Sequence, residues 1–425
     1  MSSPLSVRRL SEGLVPPSEA TPSITLPLSW IDRIPSNKAM KDILLVFNHG
    51  QEPAKAIRQA LSKALVPYYP LAGVFVVSHQ GELQVLCNGD GVWFVEAVAD
   101  CTLEDLHFLT DFPLIINQND LLPQPLPGTD PTDRMLMMQV TQFKCGGFVI
   151  GHRGNHAIWD GLGSAQFIKA IADIAKGQEQ LKIEPVWCRE LLPTPQSLPQ
   201  GLSPPPKYTP DLSPAIIKLS PSHVNRMKHH IINQLGRQCS TFDVLTAKIW
   251  QSRARAMHAD PHVNLHLLLS MSIRHILPQV PPGFYGNCIH LVTLTMQSSK
   301  LVNEPLHELV KMIKDAKNRL PVDYFEWIKG NVKIDPSSMG SSYESMVVTD
   351  WTRLGFLEAD FGWGNPSHFF PVVSDDQKFP SCLILRAPAP EQGFRLMAQC
   401  VKKEDFGLFH DEMMDFKLGD AETNH

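Results

Sequence analysis

Between Pro193 and Pro214 the chain reads PTPQSLPQGLSPPPKYTPDLSP, eight prolines in 22 residues with no period of either helix or strand. Proline removes a backbone donor and fixes φ, so a run this dense cannot continue a helix or occupy a central strand. It reads as a long, semi-rigid crossover. A chain of 425 residues is too long for one ordinary core of roughly 100–200 residues, and the crossover divides it into an N-terminal domain, 1–192, and a C-terminal domain, 215–425.

Both halves mix strands and helices. In the first, DILLVFNHG reads as a buried strand, and EPAKAIRQALSKAL as a helix that buries Ile57, Leu61, Ala64 and Leu65 and ends at Tyr68-Tyr69-Pro70. The short runs AGVFVVSHQ, GELQVLCN and GVWFVEAVA follow, parted by turn residues, and MLMMQVTQF and FVIGHRGN form neighbouring strands. SAQFIKAIADIAKG is a helix closing on Gly177. In the second half a capping box from Ser240 to Asp243 opens the helix of STFDVLTAKIWQSRARAM. LHLLLSMSI reads as a buried strand and EPLHELVKMIKDAK as an amphipathic helix, while the last third alternates short strands with turns. Similar mixed content in the two halves permits a pseudo-duplicated α/β fold.

The composition, 43% apolar and 19% charged with net charge −5 and pI near 6.4, is that of a soluble globular protein without a basic footprint for nucleic acid. No apolar run approaches the length of a membrane helix, and MSSPLSVRRLSEG lacks the apolar core of a signal peptide, so a cytoplasmic location is expected. The eight cysteines, scattered from Cys87 to Cys400 with no CxxC pair, suggest reduced thiols rather than a disulfide frame or a zinc site.

The densest stretch is GHRGNHAIWDGLG, Gly151 to Gly163, which hangs off the end of a strand. His156 and Asp160 are four apart; on a helix they would share a face as a metal pair does, but the surrounding glycines argue for a turn. Taken alone, the pattern fits a catalytic base, a metal site or a structural turn. Acyl transfer from a thioester needs a neutral imidazole and donors for an oxyanion, and no covalent nucleophile. That requirement agrees with a chain lacking a GxSxG elbow or a Cys–His arrangement.

NHAIWDG together with DFGWG, Asp360 to Gly364, resembles the paired signature of the plant BAHD acyltransferases, which move acyl groups from coenzyme A thioesters onto alcohols or amines. PLSWIDRIP, YYPLAG, STFDVLTAKIW, PPGFYGN and TDWTRLGFLEADFGWG agree with that family, in its order and over nearly the whole chain. CGGFVIG, EPVWCRELL and GLGSAQF look nearest to the taxane and benzyl alcohol acyltransferases. Condensation domains of peptide synthetases carry a related HHxxxDG, but Asn155 precedes the histidine here.

The resemblance implies two pseudo-equivalent domains with mixed sheets flanked by helices, similar to chloramphenicol acetyltransferase, and an active-site channel between them. It assigns His156 as general base. Asp160 points away from the channel and pairs with Arg274, and Gly161 and Gly163 permit a sharp turn behind the base. Asp360, Gly362 and Gly364 support the fold at a distance. Thr349 or Trp351 donates to the oxyanion, with Asp350 between them where the family more often has serine. Ser240 and Thr241, at a helix start, contact the coenzyme, with Lys248, Arg253 and Arg255 as further cations. The expected reaction forms an ester from acyl-coenzyme A, acetyl or aromatic, and a small-molecule alcohol. The expected protein is a monomer with no metal, permanent cofactor, nucleic acid or membrane partner. Transfer to an amine and a catalytically silent scaffold are the alternatives.

Overall fold

Short β-branched and leucine-rich runs, many of them buried along most of their length, build two six-stranded sheets in a computed structural model that describes residues 5–125, 128–196, 211–212, 214–332, 342–372 and 379–415. Most of the expected crossover, 197–210 and 213, lies outside the described residues.

The first half supplies β1 (Val7–Val15), β2 (Thr25–Pro27), β3 (Met40–Phe47) and α1 (Pro53–Ala64). Next come β4 (Val74–Val77), β5 (Leu83–Leu86), β6 (Val92–Ala99), β7 (Leu136–Gln142), β8 (Phe148–Asn155) and α2 (Gly161–Ala175). The second half adds β9 (Ala215–Leu219), α3 (Pro221–Leu235), α4 (Thr241–Ala256), β10 (Asn264–Ser272) and β11 (Ile289–Gln297). It continues with α5 (Ser298–Asn303), α6 (Leu306–Ile328), β12 (Ser345–Asp350) and β13 (His368–Val372), and closes with β14 (Ser381–Arg386), β15 (Phe394–Gln399) and α7 (Phe406–Met414).

The first sheet has the order β1-β6-β7-β8-β3-β13, with β6 and β7 parallel and the other pairs antiparallel. The second has the order β11-β10-β12-β14-β15-β9, with β12 parallel to both β10 and β14. A small sheet, β2-β5-β4, stands apart. Both large sheets are therefore mixed, and helices flank each of them.

The two halves are stitched together. Strand β13 belongs to the second half, yet it pairs with β3 at the edge of the first sheet, with Phe370 opposite Leu44. Phe356, Phe361, Phe369 and Phe370 pack into the core under that sheet. In return, Trp30 and Ile31 enter the core of the second sheet, where Trp30 tilts against Trp327 with ring centroids 5.1 Å apart. Burial of these aromatics holds the sheets against each other.

Three elements depart from the expected pattern. The opening segment forms β1 although its residues are mostly exposed, because β6 supplies the whole antiparallel register from Val7 opposite Ala99 to Val15 opposite Val92. Helix α6 runs through Pro321 to Ile328, since Tyr324 and Trp327 are buried beyond the proline. The last third also ends on a helix, α7, whose Phe409 and Met413 enter the second core. Among the described residues no helix is long and apolar enough to cross a membrane. All eight cysteines are unpaired, six of them buried.

Candidate active site

His156 sits in the tight connection between β8 and α2, and backbone contacts from both halves hold it there. Its N–H donates to Ala39 O at 2.9 Å, and its carbonyl accepts from Asn287 Nδ2 at 2.6 Å. Asn155 shapes the turn: its Oδ1 accepts from Ala157 N at 3.0 Å and its Nδ2 donates to Thr132 O at 3.0 Å. That use of both amide ends explains an asparagine before the histidine.

The loop rests on a buried polar network that no local pattern announced. Arg189 Nε lies 2.9 Å from Asp32 Oδ2, both side chains almost wholly buried, and Arg189 Nη2 donates to Ile158 O at 2.6 Å. Asp32 Oδ1 accepts from Asn287 Nδ2 at 2.8 Å. Residues 32, 189 and 287 thus meet under the turn. The blocks that hold them, SWID, WCREL and FYGN, were visible in the sequence, but nothing in their spacing joins them.

Asp160 faces away from the imidazole. Arg274 grips it with two bonds, Nη1 to Oδ2 at 2.7 Å and Nη2 to Oδ1 at 2.9 Å, and also donates to Gly286 O at 2.8 Å. Gly163 N and Cys288 N complete the carboxylate at 3.0 and 3.1 Å, so Asp160 is both the N-cap of α2 and a tie to the second half. Burial opposes a charge on Arg274, but Asp160 outweighs it and raises the guanidinium pKa.

One expectation about this loop is corrected. Gly161 and Gly163 are helical residues of α2 and do not adopt the left-handed backbone that a glycine-dependent turn requires. Their smallness serves packing instead: a Cβ on Gly163 would stand 1.9 Å from Tyr285 O, and one on Gly161 2.7 Å from Leu354 Cδ1.

His156 is partly exposed on the wall of a cavity of about 1560 Å³ between the two sheets. Its Nδ1 is buried without a hydrogen bond. Burial first, and the nearby charge of Lys41 second, lower the pKa of the imidazole and keep it neutral. Thr349, at the end of β12, and Trp351 line the same cavity from the second half. Between them Asp350 Oδ1 accepts from Thr352 N at 2.8 Å and Thr352 Oγ1 at 2.6 Å, so the aspartate fixes the turn after the strand.

Ser240 and Thr241 also line the cavity, at the N-terminus of α4. The capping box is formed, Ser240 Oγ accepting from Asp243 N at 3.1 Å and Asp243 Oδ2 accepting from Ser240 N at 3.0 Å. The three cations expected to follow them toward the coenzyme point elsewhere. Lys248 donates to Asp415 O, Arg253 to Cys400 O, and Arg255 to Val302 O and Glu412. Their work is to satisfy backbone carbonyls at the back of α4. The cations that do line the cavity near Ser240 are Lys228 and Lys317, and Lys317 is engaged by Asp243 at 2.6 Å.

His152, four residues before His156, is buried and stacks on Trp159 at 5.7 Å, with its pKa pushed down to about 4 by burial. Asp360, Gly362 and Gly364 lie outside the cavity lining. Asp360 Oδ1 accepts from Gly362 N at 2.8 Å and Gly364 N at 2.9 Å, while Phe361 and Trp363 pack edge-on against Phe47 and Phe148 at 5.6 Å.

The whole described chain matches one family, the Transferase family, over residues 5–415. The chain belongs to this family, the BAHD acyltransferases, which use acyl-coenzyme A as co-substrate. It is 41% identical to Acyl transferase 7 of Oryza sativa subsp. japonica, over 96% of this chain and 98% of that one. It is 39% identical to a myricetin 3-O-glucosyl 1,2-rhamnoside 6'-O-caffeoyltransferase of Crocosmia x crocosmiiflora, over 96% and 99%. It is also 33% identical to a 3'-N-debenzoyl-2'-deoxytaxol N-benzoyltransferase of Taxus canadensis, over 93% and 92%. Vinorine synthase has the same fold, with a TM-score of 0.75 at 20% identity over 95% of this chain and 96% of that one. So does TRI101 of F. sporotrichioides, solved with coenzyme A and T-2, with a TM-score of 0.72 at 17% identity over 91% and 97%.

Proposed function

We propose that this acyltransferase moves an acetyl or aromatic acyl group, such as benzoyl, from coenzyme A to a hydroxyl of a small plant metabolite. The observation that carries the reading is a neutral imidazole, His156, partly open to a cavity that the two halves share. Nε2 takes the proton of the acceptor hydroxyl as its oxygen attacks the thioester carbon. The Thr349 hydroxyl or the Trp351 indole N–H, donors on the same cavity wall, steadies the oxyanion. As the tetrahedral intermediate collapses, the C–S bond breaks and the imidazolium returns its proton to the departing thiolate.

Other residues hold this arrangement. Asp160 and Arg274 keep the loop in place, Gly161 lets α2 pack close behind it, and Asp360, Gly362 and Gly364 brace the first sheet from outside. Ser240 and Thr241 offer a helix N-terminus to the coenzyme. The halves on either side of 193–214 act as the two domains, and the protein works as a cytoplasmic monomer without a metal or a permanent cofactor. Substitution His156→Ala should lower thiol release from acyl-coenzyme A by about 10²-fold or more. Release at the parent rate with the best acceptor would sink the reading.

An amine acceptor is the second reading, favoured by the N-benzoyltransferase among the relatives. The charges lining the cavity support the hydroxyl instead: Asp42 and Asp160 are engaged by Arg153 and Arg274, while Lys41 stands on the same wall. A cationic amine would meet repulsion there. Paired alcohol and amine acceptors in one assay separate the two.

A further inference from the structure

A base that works through Nε2 carries its own proton on Nδ1, and a buried N–H needs an acceptor. Nδ1 of His156 is buried and has no hydrogen bond. Asp160 cannot supply one, because Arg274, Gly163 N and Cys288 N fill its two oxygens. Asn287 can. It is wholly buried, comes from the second half and lies outside the cavity lining, yet its Nδ2 donates to the His156 carbonyl at 2.6 Å. The second hydrogen of Nδ2 goes to Asp32 Oδ1 at 2.8 Å. Both neighbours of that nitrogen are acceptors, so the amide cannot be turned over, and Oδ1 is the end left for another partner.

Oδ1 of Asn287 is buried without a hydrogen bond, as Nδ1 of His156 is. An unmatched acceptor and an unmatched donor therefore sit on two residues that another hydrogen bond already joins. Burial lowers the pKa of the ring most, and the Asn287 side chain works against it, as an acceptor facing an imidazole N–H does. Hydrogen bonds of catalytic groups are often long or misaligned before substrate arrives and tighten in the complex. We propose that Asn287 is the positioning residue of the base: Nδ2 fixes the His156 backbone, and Oδ1 accepts from Nδ1–H, which leaves the Nε2 lone pair to the cavity. This rests on the acyl-transfer reading above. An amide orients the ring without adding a charge, so the imidazole stays neutral and able to take the hydroxyl proton; a carboxylate in its place would hold the imidazolium.

The test measures thiol release by the full-length enzyme against pH, with acetyl- and benzoyl-coenzyme A and the best of a panel of small alcohols. Asn287→Leu removes both ends of the amide. Its kcat should fall by about 10–100-fold, the cost of buried groups left unpaired, with little change in either KM. Asp32→Asn/Asn287→Asp exchanges amide and carboxylate: the network beside Arg189 keeps one negative charge, and the end facing the ring becomes charged. The acid limb of kcat/KM should then move to higher pH, because a carboxylate beside the ring favours the imidazolium. Lys41 and Asp160, the other charges acting on the ring among the described residues, are untouched by the exchange. The position of the limb does not depend on how much of a variant is folded, and Asn287→Asp alone gives the same reading where the exchange does not fold. An acid limb that stays at the parent position, or an Asn287→Leu variant that raises KM while keeping kcat, would overturn the assignment and leave acyl transfer intact. Parent thiol release no higher than that of His156→Ala with every pair would overturn acyl transfer itself, and the role of Asn287 with it.

Discussion

The loops HAIWDG and DFGWG are built from the same parts and do different work. Each sets an aspartate a few residues ahead of a glycine whose N–H it accepts. In the first, Asp160 is buried, filled by an arginine from the other half, and followed by glycines in helical conformation. In the second, Asp360 is half-exposed, touched by Lys176 at 3.4 Å, and followed by Gly362 and Gly364 with φ of +101° and +91°. Only the first borders the cavity. A dense motif reports a constrained backbone; whether chemistry sits on it depends on which wall the loop faces.

The contrast can be broken most sharply at the aspartates. Arg274→Ala leaves a buried carboxylate unpaired and should cost about 3–5 kcal/mol in urea denaturation, with loss of activity. An equal cost for Lys176→Ala, which is expected below about 1 kcal/mol because its pair is partly solvated, would erase the distinction.

A buried histidine accompanies each loop: His152 on β8 with a pKa pushed down to about 4, and His368 on β13 pushed down to about 3, burial being the main cause in both. Below the ordinary 6.5 the unfolded chain binds protons that these imidazoles refuse, so stability is full above that value and falls as the pH drops toward 4. For His152 alone the loss approaches roughly 3 kcal/mol at the acid end. In His152→Gln the slope of urea midpoint against pH should flatten over that window; an unchanged slope would mean that the ring titrates normally.

The glycines sharpen the comparison further. Gly163→Ala drives a methyl into the Tyr285 carbonyl and should cost about 2–3 kcal/mol. Gly364→Ala meets no neighbour and should cost only the left-handed backbone term, about 1–2 kcal/mol, in the same thermal melts.

Helix α1 was legible because burial on one face repeats within a few residues, β3 because its apolar run is continuous, and α4 because a capping box opens it. The edge strand β1 was not: VRRLSEGLV carries no alternation, and β6 alone makes it a strand. The helix of EPLHELVKMIKDAK runs on past its readable stretch, through Pro321 to Ile328, because Tyr324 and Trp327 find a distant partner in His290. Within the site, His156, Thr349 and Trp351 could be picked out by residue type and resemblance. The Asp32–Arg189–Asn287 support is a product of tertiary assembly. Lys248, Arg253 and Arg255 misled because a cation on a helix is usually solvated, and here the helix is buried on nearly every side.

The placement of β13 has a consequence for anyone who would cut this protein in two. A fragment ending at the proline-rich segment would lack the strand that covers β3, leaving a row of amide and carbonyl groups open beside Leu44 and Leu45. Such a naked border templates self-association. The amino-terminal piece would therefore gather into aggregates on its own and stay dispersed only when supplied with a peptide spanning Phe356 to Val372.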